Sequence, residues 1–196
     1  MKKISVTEIL KAEESVRKDK VYGAEETLID TYFKKFPLNT NLTEIAAKVA
    51  IIDTTNTTNL SRYKSKISLC NVAEIIVGID NFDARVKSGD VKLVEEIARK
   101  SKEKYGINLF SFATKYCCYH NVHVYKRDDY SIYDNVVKKN LPDYCNNVTK
   151  NKIETWRTKI DYTSFNETID KVLKDNKITI ANRRRAFDYF IWYNNR

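Results

Sequence analysis

The chain has 196 residues, 42% of them hydrophobic, with 35 basic against 26 acidic side chains and a net charge of +9. That apolar share can build one core and excludes global disorder. Four glycines and two prolines are too few for an all-β sandwich or for the glycine-rich turns of a doubly wound nucleotide-binding fold.

The first segment, from about Val6 to Lys18, spaces Val6, Ile9, Leu10 and Val16 at roughly helical intervals. A second, from about Ala24 to Phe36, carries the stripe Leu28, Ile29, Tyr32, Phe33 and Phe36, and Pro37 stops it. Asn41 to Glu44 has capping-box spacing before Leu42, Ile45, Ala46, Val49 and Ile52. The polar run from Asp53 to Asn59 competes with the backbone for hydrogen bonds and reads as a loop or frayed end. Ser68 is placed to cap one helix bearing Val72, Ile75, Ile76, Ile79 and Phe82. After a turn at Ser88-Gly89-Asp90, the next helix carries Val91, Val94, Ile97 and Ala98, and Gly106 ends it.

Asn108 is placed to cap the most regular helix. There Leu109, Phe112, Ala113, Tyr116, Cys117 and His120 share one face, which predicts a central, buried element. A polar connection from His123 to Tyr130 leads to a short helix from Asp134 to Lys139, and an Asn/Lys-rich loop lies beyond Pro142. Ser164 to Glu167 again has capping-box spacing, and the last helix runs from Ile180 to Asn194. No repeat or linker divides the chain. The pattern predicts an all-α fold, one compact multi-helix domain over residues 1–196.

No stretch approaches the roughly 20 apolar residues of a membrane span. The start turns acidic at Glu8 before any apolar run, unlike a signal peptide. Cys70, Cys117, Cys118 and Cys145 follow no disulfide-framework spacing and read as reduced thiols. A cytoplasmic protein without a membrane partner is the expectation. Cys117-x-x-His120-x-x-His123 falls short of four zinc ligands, and Cys117 and His120 sit on the apolar face, so packing is expected there. Neither metal nor cofactor is expected.

The stretch Phe110 to Asn121, followed by a loop, a short apolar step and Asp134 at the start of a new helix, resembles the helix-hairpin-helix DNA glycosylase superfamily. The resemblance covers roughly residues 41–141, with Asn41 to Ile52 where that family places an early helix. It implies a helical scaffold that binds DNA, flips a damaged base and cleaves its glycosidic bond. Asp134 would then face the sugar, although an Asp at that place is also an ordinary N-cap. The family's glycine-rich hairpin corresponds to Lys104 to Leu109, which holds only Gly106, and its iron–sulfur cysteines are missing. Its Schiff-base lysine corresponds to Lys115 on an ungapped count from Asp134, or to Ser111 when the helix ends are aligned. The long intervening loop favours Ser111, so the sequence assigns no catalytic lysine.

Basic clusters occur at Lys126-Arg127, Lys138-Lys139 and Arg183-Arg184-Arg185. The first two flank Asp134, as a phosphate-tracking surface requires. Tyr119, Tyr125, Tyr130 and Tyr133 interleave with them, a pattern suited to base stacking. Three cations opening a helix oppose its macrodipole and call for internal acids or an external anion. The expected function is a nucleic-acid-associated helical protein, a divergent or inactive base-excision glycosylase. The alternative is a protein-interaction or structural domain without nucleic-acid binding.

Overall fold

In the computed structural model, which describes residues 2–195 apart from 57 and 59, the first helix, α1 (Val6–Lys18), has the expected bounds. The Ser5 hydroxyl accepts from the Glu8 amide and the Glu8 carboxylate accepts from the Ser5 amide, satisfying two orphan donors. In the turn to α2 (Tyr22–Lys35), a Cβ on Gly23 would lie 2.4 Å from the Arg17 carbonyl oxygen, so the close approach needs glycine. α2 buries Ile29 and Phe33 but leaves Leu28 exposed, a narrower stripe than its periodicity predicts.

α3 (Leu42–Asn56) runs through Asp53 to Asn56, part of the stretch expected to be a loop. Thr54 and Thr55 do not break it, because their hydroxyls donate back to the Ala50 and Ile51 carbonyls at 2.9 and 2.8 Å within the helix. Thr57 and Asn59 of that expected loop lie outside the described residues. Asp53 Oδ1 accepts from the Thr58 hydroxyl and the Leu60 amide and draws the chain into a 3-10 turn, Leu60–Tyr63. The single helix expected from Ser68 is two, α4 (Leu69–Val77) and α5 (Phe82–Ser88). Gly78 caps the first, and Asn81 precedes the second with a left-handed φ of 54°. The apolar spacing continues across the break because both helices face one core.

α6 (Lys92–Tyr105) and α7 (Phe110–Tyr125) pack together across a short turn in which Gly106 takes a φ of 70°. Every residue of α7 from Phe112 to Val122 is buried. A helix buried on all sides belongs at the centre of a domain, and α2, α3, α5 and α6 surround this one. The remaining elements are α8 (Asn135–Asn140), a 3-10 turn at Leu141–Tyr144, α9 (Lys150–Lys159), α10 (Tyr162–Asp175) and α11 (Arg183–Asn195). α9 falls in the expected loop; it buries only Ile153 and Trp156 and is capped by Thr149. α10 starts earlier than expected, at Asp161, whose carboxylate accepts from the amide and hydroxyl of Ser164. α1 lies along α11, so the two ends of the chain pack together. The fold is all-α, a single domain around one core. Among the described residues no helix is long and apolar enough to cross a membrane.

Cys117 and His120 are core residues, as expected. Asn39 Nδ2 donates to Asp83 Oδ1 at 2.6 Å and meets His120 Nε2 at 3.1 Å, while the Tyr116 hydroxyl donates to Asn39 Oδ1. Burial depresses the His120 pKa, keeping it neutral in the fold, whereas an unfolded chain takes up a proton near 6.5. The unfolded state thus binds more protons below that value, and stability falls with acidification. Between pH 7 and pH 5 the thermal midpoint should fall less in His120→Gln than in wild type, since His123, also depressed by burial, titrates in both. Equal falls would contradict this.

Candidate functional site

A cleft of about 730 Å³ opens between the end of α3, the first turns of α7, the start of α8, and α2 and α11. Lys115 stands in it, 4% exposed, on the most buried helix of the chain. Its Nζ donates to the main-chain oxygen of Asn56 at 3.0 Å. Asn56 ends α3, and a terminal carbonyl has no partner within its own helix. Desolvation depresses the Lys115 pKa most; Asp134 and Asp188 oppose the shift and Arg185 adds to it. An amine so placed gives up its proton, and becomes nucleophilic, more readily than a surface lysine.

Asp134 also lines the cleft. It is the N-cap of α8, with Oδ1 accepting from the Val137 amide at 2.8 Å, as an Asp at a helix start allows. Its distance from Lys115 is fixed by the preceding residue. The Tyr133 amide donates to Thr114 Oγ1 at 3.0 Å and its carbonyl accepts from Ser111 Oγ at 2.9 Å, both from α7. Ser111 lines the cleft too, but its hydroxyl is engaged in that tie.

α11 contributes Arg185, Asp188, Tyr189 and Trp192, the i, i+3, i+4, i+7 positions of one helix face. Arg185 is buried. Its guanidinium bonds Glu26 and Asp188 and lies over the rings of Tyr119 and Tyr189, 4.9 and 4.2 Å from their centroids. Burial raises Asp188 to about 7 despite that partner. Tyr22 meets Trp192 edge-on at 4.2 Å, and Glu25 stands nearby with its pKa raised by desolvation and by Glu26. A second group of lining residues is basic: Arg62, Lys138 and Arg157. Lys138 and Arg157 share Glu154, which they pull down to about 2.

The predicted basic clusters distribute differently. Lys138 reaches the cleft, and Lys139 on the same helix is exposed. Lys126 caps the far end of α7 and donates to His123, while Arg127 chelates Asp129. Eleven residues of helical rise put that end about 16 Å from Lys115, and neither residue lines the cleft. Arg183 and Arg184 bond Asp170, Arg184 also bonds Asp128, and Arg185 bonds Glu26 and Asp188. Internal acids thus offset the triplet, the first of the two ways its place at a helix start allows, and most completely for the buried Arg185. Tyr119 and Tyr130 are buried away from the cleft with their hydroxyls bonded, while Tyr133, also buried, lines it with its hydroxyl donated to Glu154. The aromatic side chains lining the cleft are Tyr22, Tyr63, Phe112, Tyr133, Tyr189 and Trp192. Among the described residues no group of three or more His, Cys, Asp or Glu is gathered for a metal ion.

The sequence model of the HI_0787_N family, an N-terminal domain, matches residues 6–129. The chain belongs to the HI_0787_N family. An uncharacterized protein of Haemophilus influenzae is 34% identical over 145 residues, covering 72% of this chain. The chain spans 64% of the length of that curated relative. No solved structure matches. The matched region contains α7 with Lys115 and the α2 and α3 walls of the cleft, while Asp134 and α11 lie beyond it.

Proposed function

We propose that this protein is a DNA base-excision glycosylase of the lyase type, with Lys115 as nucleophile and Asp134 as the carboxylate beside the sugar. The observation that carries the reading is the shared cleft. A desolvated amine and a half-buried carboxylate line one opening, each fixed by a main-chain tie. Such a pair suits attack on an electrophilic carbon that becomes positively charged as its bond breaks. Between the two positions the sequence leaves open, the amine favours Lys115.

DNA is the substrate proposed because the sugar of a flipped nucleotide supplies such a carbon. The neutral Lys115 amine attacks C1′. The bond from C1′ to the base breaks and its electron pair leaves with the base, which takes up a proton. Asp134 stabilises positive charge on the sugar meanwhile. Loss of the amine's proton and opening of the C1′–O4′ bond, with a proton to O4′, leave an imine between Lys115 and the sugar. These steps use the chain's own side chains, and a cytoplasmic setting with reduced cysteines belongs to the same proposal.

Asp134→Asn tests this. Asn keeps the cap, so thermal stability should hold, while cleavage of damaged-base duplexes should fall about 100-fold or more. Unchanged cleavage would remove Asp134 from the chemistry. A wild-type protein that binds DNA but cleaves none of a broad panel is a binding module; one that neither binds nor cleaves favours a protein-interaction domain.

The cleft, not the far end of α7, should meet the phosphates. Replacing Arg62, Lys138 and Arg157 with Ala should weaken DNA binding and flatten its salt dependence by about one logarithmic slope unit for each phosphate no longer neutralised. Lys126→Ala/Arg127→Ala should leave both near wild type. The reverse result would relocate the DNA surface.

A further inference from the structure

Lys115 and Tyr119 are i, i+4 neighbours on α7 and point the same way. Both end on Asn56, by different atoms. Lys115 Nζ donates to the main-chain oxygen of Asn56 at 3.0 Å, and the Tyr119 hydroxyl donates to its side-chain Oδ1 at 2.5 Å. Asn56 Nδ2 in turn donates to Thr55 Oγ1 at 2.8 Å. The end of α3 is therefore held from α7 at the point where it holds the amine. Tyr119 is itself fixed, buried to 1% exposure beneath the Arg185 guanidinium.

We propose that Tyr119 is a positioning residue for the Lys115 amine, acting through Asn56. Its hydroxyl locks the last residue of α3, and the locked carbonyl sets where the amine sits and how firmly it keeps its proton. The inference rests on the reading of Lys115 as a nucleophile. The carbonyl accepts from the ammonium and carries the negative end of the α3 dipole, so it favours the charged amine. The other charged groups facing the amine are Asp134 from the start of α8 and Asp188 and Arg185 from α11. Glu26 from α2 holds Arg185 in place.

Tyr119→Phe keeps the ring under Arg185 and removes only the hydroxyl. With the carbonyl released, the amine loses an acceptor and drifts. Single-turnover imine formation, trapped with borohydride on an abasic-site duplex, should slow about 10- to 100-fold, the scale of a misplaced reacting group. The pH midpoint of that rate should move to lower pH, while duplex binding stays near wild type. Asn56→Ala, which keeps the main-chain carbonyl but frees it from Tyr119, should reproduce both changes. The double variant should be no worse than either single one. A wild-type or raised midpoint in Tyr119→Phe, or additive effects of the two changes, would overturn the proposal even if the rate fell, because loosened packing that admits water moves the amine's titration up, not down.

The titration of Lys115, read from its ¹³Cε resonance and assigned with Lys115→Met, separates the two levels of inference. A downward shift in Tyr119→Phe without trapping in any duplex would keep the positioning role and remove the glycosylase reading. Trapping by wild type without that shift would do the opposite.

Discussion

Lys115→Met should abolish imine trapping and lower glycosidic cleavage about 10³-fold or more, the scale of losing a covalent nucleophile, while leaving the fold intact. The site is buried, and its main polar tie is to one helix-end carbonyl. Methionine has similar length and tolerates irregular core space. Removing a desolvated amine also removes its burial cost, so the thermal midpoint should stay level or rise. This combination is informative, because a buried lysine kept for stability would show the reverse. Cleavage and thermal unfolding on the same preparation decide it. Retained cleavage would move the chemistry elsewhere in the cleft.

The largest effect on stability is expected at Arg185. Its guanidinium joins Glu26 of α2 to Asp188 of its own helix and rests between two tyrosine rings. Arg185→Met leaves two carboxylates in the cleft wall without their cation. Breaking one side of a buried ion pair costs about 3–5 kcal/mol, a large part of the roughly 5–15 kcal/mol that holds a domain together. A fall in thermal midpoint of about 6–20 °C follows for a chain of this size. The triple change Glu26→Gln/Arg185→Met/Asp188→Asn removes the stranded charges and should recover much of the loss. If Arg185→Met costs nothing, the cluster does not hold α2 and α11 together.

What the sequence reveals and what it hides divide along physical lines. α1 is legible because Val6, Ile9, Leu10 and Val16 keep a helical spacing, and the Ser5–Glu8 capping box fixes where it starts. The centrality of α7 is legible because its apolar periodicity is unbroken. The split between α4 and α5 is hidden because Ile79 and Phe82 continue the apolar period of Val72 and Ile76 across Gly78 and the left-handed Asn81. α9 is hidden for the opposite reason, since two buried side chains in ten residues make almost no stripe. At the site, Asp134 is readable as a cap and as a resemblance. The choice between Lys115 and Ser111 turns on how the loop before Asp134 folds back on α7, through Thr114 and Tyr133, and periodicity carries no trace of that. Glu26 and Arg185 stand 159 residues apart, beyond any local pattern. The arginine triplet therefore reads as surface charge until the fold supplies its acids.

If the Lys115 amine attacks a sugar carbon as proposed, it must pass through a covalent imine. The most direct measurement is borohydride reduction of wild-type protein with abasic-site and damaged-base duplexes, then proteolysis and mass spectrometry of the cross-linked peptide. One adduct is expected, in the peptide containing Lys115, and none at that peptide in Lys115→Met. An adduct on another lysine, or none with any duplex, would contradict it.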